Sequence, residues 1–439
     1  MNYLLKIFIA ILILTPLSQF AQSNNDIIKN IQKLMLENYI FLDKAKETNL
    51  HLEDLMKNNY FDTYTDPKDF AKALSVEMQK ITNDKHLNVA PPRPPRPPRS
   101  NSDFITRHLT NLVQFRSRGF GKIDLLEGNV GYVELKGFRR EDISKVDDVM
   151  NYLSTADAII IDLRENGGGG GLGLYWSSYF LKENTPLTGS YERRTDTTIE
   201  LKTVSVKGNQ RLSMPIFFLT SNRTFSAAEA FAYDLQARKR AIIVGETTGG
   251  GAHPVNGMRL PKGYRLIVPY ARSINPITKT NWEGVGVIPN YKTTKEESLT
   301  KAKELAIIAA KKYREEPFNK LKTILEKNNI SQKEEDTVCE LFRLLLKRNH
   351  LEDFMINNMG YSYLEAKQIN SASVIFKSNT IIFPDSPNGH DSYAEVLALK
   401  GNKKEALKHY KQAVLLAEKQ NDRQLEIYKN NLLEFENKR

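Results

Sequence analysis

The residues best placed to do chemistry stand in the stretch SNRTFSAAEAFAY, residues 221–233, where Ser226 precedes an apolar-periodic run. A serine at that point has two uses. S-x-x-E ahead of such a run is a capping-box signature, in which the hydroxyl takes a first-turn N–H and Glu229 reaches back. The same hydroxyl lies at the tip between the strand-like IFFLTS and its helix, where open parallel sheets bind ligands beside the positive end of a helix. Capping and attack on a carbonyl are compatible, one following the other.

Two glycine-rich turns accompany this serine. IIIDLRENGGGGGLG ends an apolar strand in five consecutive glycines, Gly167 to Gly171. Such a run costs backbone entropy, and it either cradles phosphate or lets a substrate carbonyl approach backbone N–H groups. No G-K-[ST] follows, and the glycine spacing is a weak dinucleotide signature, so an oxyanion hole is the better reading. GETTGGGAHP, residues 245–254, follows the next strand and is positioned to line the same cleft. A serine nucleophile needs a base, and His253 in this turn is one candidate.

The elements that must position these groups are readable from periodicity. Residues 24–88 carry apolar positions three and four apart, with Asp66-Pro67 as a cap and first-turn pair, and predict an N-terminal helical domain. PPRPPRPPRS, at 91–100 within a linker spanning 89–102, predicts extended polyproline II, read as a stiff connector rather than a docking peptide. From 103 to 316, strands GNVGYVELKGF, ADAIIIDL, MPIFFLTS and RAIIVGET alternate with helices ISKVDDVMNYLS and SAAEAFAYDLQAR. That alternation predicts right-handed parallel crossovers in an α/β domain. A helical connector at 317–348 follows. Over 349–439, Gly360, Tyr363, Ala372, Phe376 and Pro384, with Ala406 and Tyr410 34 positions beyond two of them, predict two tetratricopeptide-like units and a capping helix.

TSNRTFSAAEAFAYDL, IIVGETTGGGAHP, DLRENGGG and NWEGVGVIPN together resemble the catalytic core of the tail-specific, or C-terminal-processing, serine peptidases. The upstream YFDTYTDPKDFAKALSVEMQKITNDKHLNV is similar to the N-terminal domain of the interphotoreceptor-retinoid-binding-protein-like branch. The resemblance covers roughly residues 25–315 and implies a mixed sheet with βαβ crossovers of the ClpP/crotonase kind. The better-known bacterial members use a lysine base where this chain has Gly251. The branch containing the tricorn core implies instead Ser226 as nucleophile, His86 as general base and Glu283 as the orienting acid. It also implies the N–H groups of Gly168 and Ala227 as the oxyanion hole; His253, read from the residues alone, is the rival base. Where the tricorn core has a serine before its histidine, this chain has Lys85, preceded by Asp84.

Composition bounds the rest. The chain has 439 residues, 40% hydrophobic and 26% charged, enough for two or three globular domains. A lysine followed by the short apolar run Ile7 to Leu14, with small residues near Ala21, predicts a signal peptide over 1–21 and export to the periplasm or beyond. No later stretch is long and apolar enough to span a bilayer. One cysteine, Cys339, excludes an intrachain disulfide and reads as core. The net charge of +11 is spread over helical faces without a nucleic-acid module, so no nucleic-acid partner is expected. The expected activity is that of an exported serine endopeptidase needing neither metal nor cofactor, with a peptide or protein substrate and a protein partner at the repeats. The alternatives are a carrier of apolar ligands or peptides on a peptidase scaffold, and a scaffold acting through its repeats.

Overall fold

The structure is a computed structural model, and it describes residues 24–94, 105, 119–139 and 142–438. The signal-peptide reading, and most of the linker reading, lie outside these residues. The described residues divide into two compact units, one lying within 24–126, 130–149 and 158–306, the other within 127–129, 150–157 and 307–438.

The first unit opens with helices α1 (24–38), α2 (Leu42–Lys57) and α3 (Pro67–Thr82). Asp66 caps α3 as its sequence predicts, accepting the Lys68 and Asp69 N–H groups at 2.7 and 3.1 Å. These helices do not close a core of their own. Ile31, Met35, Phe61, Phe70 and Leu74 share one apolar cluster with Leu266 and Val268 of β10 (Arg265–Pro269), far downstream in the chain. The join is made by β1 (Asn88–Ala90), which pairs antiparallel with β10, itself paired with β9 (Val255–Arg259). The expected boundary after residue 88 is therefore not a boundary of packing.

The central sheet has six strands: β2 (Phe120–Leu126), β3 (Val130–Leu135), β4 (Ala158–Asp162), β7 (Ile216–Thr220), β8 (Ile242–Gly245) and β12 (Tyr291–Lys292). Their order is β12-β8-β7-β4-β3-β2, all parallel except the β2–β3 hairpin. β4 (AIIID) and β7 (IFFLT) are buried at every position, which is why they read as unbroken apolar runs. Helix α4 (Ile143–Tyr152) links β3 to β4, α5 (Leu172–Phe180) follows β4, and α6 (Ala227–Ala237) links β7 to β8. α5 and α6 meet through Trp176 and Phe231, and Phe231 stands edge-on to Phe218 of β7 at 4.8 Å. A small sheet of β11 (Ala271–Ile274), β5 (Pro186–Glu192) and β6 (Thr197–Lys202) completes the described part of this unit. Strand and helix periodicity located β3, β4, β7, β8, α4 and α6; the short polar strands β5, β6, β9 and β11 carried no comparable signal.

The second unit is built of helices. α7 (Ser298–Leu325), whose residues before 307 belong to the first unit, runs unbroken through the expected boundary at 316, with Pro317 inside it. α8 (Gln332–Lys347), α9 (Asp353–Glu365), α10 (Ile369–Ile382), α11 (Pro387–Leu399), α12 (Lys403–Gln420) and α13 (Leu425–Asn437) follow. At the positions of the 34-residue pattern, Gly360 packs so tightly on Phe376 that a Cβ there would lie 2.4 Å from its ring, and Ala372 and Ala406 are fully buried. Cys339 is a buried thiol within α8, as expected of a core residue.

Candidate active site

Ser226 sits where β7 turns into α6, at φ 56° and ψ −122°. A non-glycine residue with that backbone costs on the order of 1–3 kcal/mol, and a serine held on a sharp strand-to-helix turn is the arrangement that exposes a nucleophile. Ser226 and Glu229 stand in a capping-box arrangement, but only one half is a hydrogen bond. The Glu229 carboxylate accepts the Ser226 N–H at 2.8 Å, whereas the Ser226 hydroxyl makes no cap bond. The hydroxyl is thus left for other work, and the sequence's two readings separate: the glutamate caps, the serine does not.

Glu229 does more than cap. Its fully buried carboxylate also takes the Thr248 hydroxyl and the Gly250 and Gly251 N–H groups, the last two at 2.7 and 2.8 Å. Burial raises its pKa, against the opposing pull of these donors. One side chain therefore ties the Ser226 backbone to the glycine-rich turn.

The other glycine run is tied in by Asn166, whose carbonyl accepts the Phe225 N–H at 3.0 Å and whose Oδ1 accepts the Gly168 N–H at 2.9 Å. This corrects one expectation: the Gly168 N–H is already engaged and is not a free oxyanion donor. What Gly168 supplies is closeness. At φ +92°, a Cβ on it would lie 2.9 Å from Ser226 Cβ and 3.0 Å from the Ala227 nitrogen. Gly169, at φ +128°, borders the cavity beside Ser226. The Ala227 and Gly169 N–H groups have no hydrogen-bond partner among the described residues. Ser226, Gly169, Leu201, His253, Val255 and Trp282 are among the residues lining that cavity, of about 370 Å³.

The imidazoles and carboxylates lie alongside. Asp84, 1% exposed, bridges the two histidines: one oxygen takes the His86 backbone N–H at 3.0 Å, the other the His253 Nδ1 at 2.7 Å. His253 Nδ1 is also 3.5 Å from Glu283 Oε2, and that carboxylate accepts the Ala252 and His253 backbone N–H groups. Burial, and then the charge of Asp84, push the Glu283 pKa up to about 7, with His253 opposing. The His86 ring packs tilted against Phe225, the neighbour of Ser226, at 4.6 Å between centroids, and its Nδ1 is buried without a partner among the described residues. Burial lowers the His86 pKa from its ordinary value, which favours the neutral ring. Neither imidazole is hydrogen-bonded to Ser226. Lys85, in the place of the tricorn serine, donates to the Gly249 carbonyl at 2.5 Å and so clamps the turn instead of relaying to His86.

The structure thus brings Ser226, His253, Glu283, Ala227 and Gly168 around the two glycine turns, with His86 beside Phe225. Sequence reasoning passed over Asp84 and Asn166, and saw Glu229 only as a cap. Asp84, two residues before His86, was the one with a readable signal, since a carboxylate at that spacing can hold a histidine's backbone.

Comparison with known proteins follows the same lines. Residues 129–293 match the model of peptidase family S41, and residues 15–113 match the model described as the N-terminal domain of Peptidase_S41 in eukaryotic IRBP. Carboxyl-terminal-processing peptidase 2 of Arabidopsis thaliana chloroplasts is 27% identical over 173 residues, covering 37% of this chain and 31% of the relative. A carboxyl-terminal-processing protease of Picosynechococcus is 29% identical over 162 residues, covering 36% and 38%. The matches thus span about a third of each curated relative. Among solved structures, the photosystem II D1 C-terminal processing protease aligns with TM-score 0.41 and 13% identity, covering 62% of this chain and 94% of its own. The tricorn protease aligns with TM-score 0.45 and 16% identity, covering 66% and 37%. Through residues 129–293 and the domain that precedes them, the chain belongs to peptidase family S41.

Proposed function

We propose that this protein is an exported serine endopeptidase that cleaves protein or peptide chains through an acyl-enzyme, with Ser226 as nucleophile and His86 as general base. The observation that carries the assignment of the base is at Gly251. A side chain there would begin 2.6 Å from His86 Cε1 and 2.2 Å from the Phe225 ring, so where the resemblance would put a lysine base the Phe225 and His86 rings leave no room for one. Burial favours the neutral form of the His86 imidazole, which is the form able to accept a proton.

In this reading Ser226 Oγ attacks the scissile carbonyl carbon as its proton passes to His86. The carbonyl oxygen takes the negative charge toward the Ala227 N–H, at the positive end of α6, and the Gly169 N–H, which replaces that of Gly168. The proton then goes to the leaving amine, and water hydrolyses the ester by the same steps. Glu283, through Asp84 and His253, keeps the histidine-bearing segments in register. Residues 349–439, read as tetratricopeptide-like units, bind a protein partner or substrate without entering the chemistry.

A second reading of the base rests on a specific observation: His253 shares a cavity with Ser226, and Asp84 holds its Nδ1, as a base-orienting carboxylate does. A fluorophosphonate probe tests the enzyme reading directly. Labelling of wild type but not of Ser226→Ala supports it, and an unlabelled, folded wild-type protein points to the carrier or scaffold alternatives. Labelling rates of His86→Ala and His253→Ala then separate the two bases.

A further inference from the structure

Asp84, His253 and Glu283 each offer one ligand atom, and these three atoms lie within 4.8 Å of one another. We propose that they form a divalent-cation site, for zinc by its donor set, whose occupancy holds the peptidase off.

Charge is the first argument. Two carboxylates converge on one imidazole in a place where the Asp84, His253 and Glu283 side chains are only 1%, 3% and 14% exposed. No lysine or arginine pairs with either carboxylate among the described residues. If both carboxylates ionise, even an imidazolium leaves one uncompensated buried negative charge, which is costly. Zn²⁺ with two carboxylates and a neutral imidazole sums to zero. The second argument is an orphaned atom: Glu283 Oε1 is buried and has no hydrogen-bond partner among the described residues, although Oε2 is fully used by backbone N–H groups. A buried, unpaired carboxylate oxygen beside two other ligands calls for a missing partner.

Geometry permits it. Tetrahedral zinc with bonds near 2.0–2.2 Å sets its ligand atoms about 3.3 Å apart. The three ligand atoms lie within 4.8 Å of one another, with His253 Nδ1 2.7 Å from Asp84 Oδ2, so ion entry needs adjustments of up to about 1.5 Å. Three protein ligands leave the fourth position to water. Phe41 covers the ring edge-on at 5.4 Å, giving the apolar shell that metal sites favour. Because Asp84 also holds the His86 backbone, and Glu283 the turn at 252–253, a bound ion draws both segments together and stops their adjustment to substrate.

The test uses the full chain, freed of metal by chelator and titrated calorimetrically with ZnCl₂. One ion per chain is expected, with His253→Ala abolishing binding and Glu283→Gln or Asp84→Asn weakening it at least about tenfold. Ser226→Ala and His409→Ala, the latter removing one ring of the His390–His409 pair whose Nδ1 atoms lie 2.8 Å apart, should bind as wild type does. Co²⁺ added to wild type supplies a readout that needs no variant: a tetrahedral visible spectrum with one imidazole is expected. No binding at about 100 µM free Zn²⁺, at the weak end of useful affinity, or undiminished binding in folded His253→Ala, overturns the site. Binding that leaves turnover unchanged overturns its inhibitory role. Failure of the peptidase reading would show as absent fluorophosphonate labelling with zinc binding intact, so the two are told apart.

Discussion

Substituting Gly251 by alanine tests the packing on which the assignment of His86 rests. The new methyl would start 2.2 Å from Phe225 Cζ and 2.6 Å from His86 Cε1, against the 3.4 Å at which ordinary contact begins. One or both rings must therefore withdraw by about 1 Å, and both are rigid. Overpacking of this kind costs about 1–3 kcal/mol of stability, which leaves the protein folded. A 1 Å misplacement of a catalytic group costs on the order of a hundredfold in rate. The expected result is a loss of about a hundredfold in kcat/KM on a short peptide, carried by kcat, with a modest drop in denaturant midpoint. Placing Gly251→Ala in a His86→Ala background separates the causes. Once the imidazole is gone, the methyl meets only Phe225, and little further activity should be lost. A Gly251→Ala enzyme within about threefold of wild type, or one that loses just as much without His86, would refute the reasoning, since the expected misplacement of the base would then be absent.

Ser226→Gly should abolish turnover, by at least about a thousandfold, while raising stability by about 1 kcal/mol or more, because glycine accepts a φ of 56° without strain. Equilibrium unfolding and peptide hydrolysis on the same sample check both halves. His86→Ala should fall nearly as far as Ser226→Ala, and the double variant no further, whereas His253→Ala should be mild; the opposite order moves the base to the glycine-rich turn. Glu229→Gln turns one acceptor oxygen into an NH₂ facing amide donors, and should cost about 1–3 kcal/mol together with most of the activity, read by unfolding and peptide hydrolysis. Glu283 gives a pH signature. Its carboxyl pKa is raised from 4.5 to about 7 on folding, so the native state binds the extra proton between those values, and its contribution to stability falls as pH rises from about 4.5 to 7. Glu283→Gln should flatten that slope in unfolding curves taken across this range and, at pH 8, stabilise by about 2–3 kcal/mol, most of what the shift represents.

How much of this was legible beforehand follows from the range of each interaction. The buried strands β4 and β7, the helix after Ser226, and the capped start of α3 rest on local apolar pattern and on side chains two or three residues apart, so the chain states them directly. The two glycine runs were legible as places needing close backbone approach. Short edge strands such as β6, exposed at every position, were not, because nothing in their own composition rewards the pairing.

The candidate site divides along the same line. Sequence alone determined that Ser226 would stand at a strand-to-helix turn beside glycine-rich segments, since strand, cap motif and glycines are contiguous in the chain. It offered His253 as one candidate base and reached His86 only through resemblance. Only the tertiary structure decided that the Gly168 N–H is spent on Asn166, that Glu229 gathers the second glycine turn, and that Asp84 joins His86 to His253, which lies 169 residues beyond Asp84. It also decided that the N-terminal helices share a core with β10 instead of closing one of their own. The physical reason is common to all of these. A backbone N–H gives no sign in the sequence of which distant oxygen will take it, and a buried carboxylate's partners are set by which segments the fold brings within about 3 Å of it.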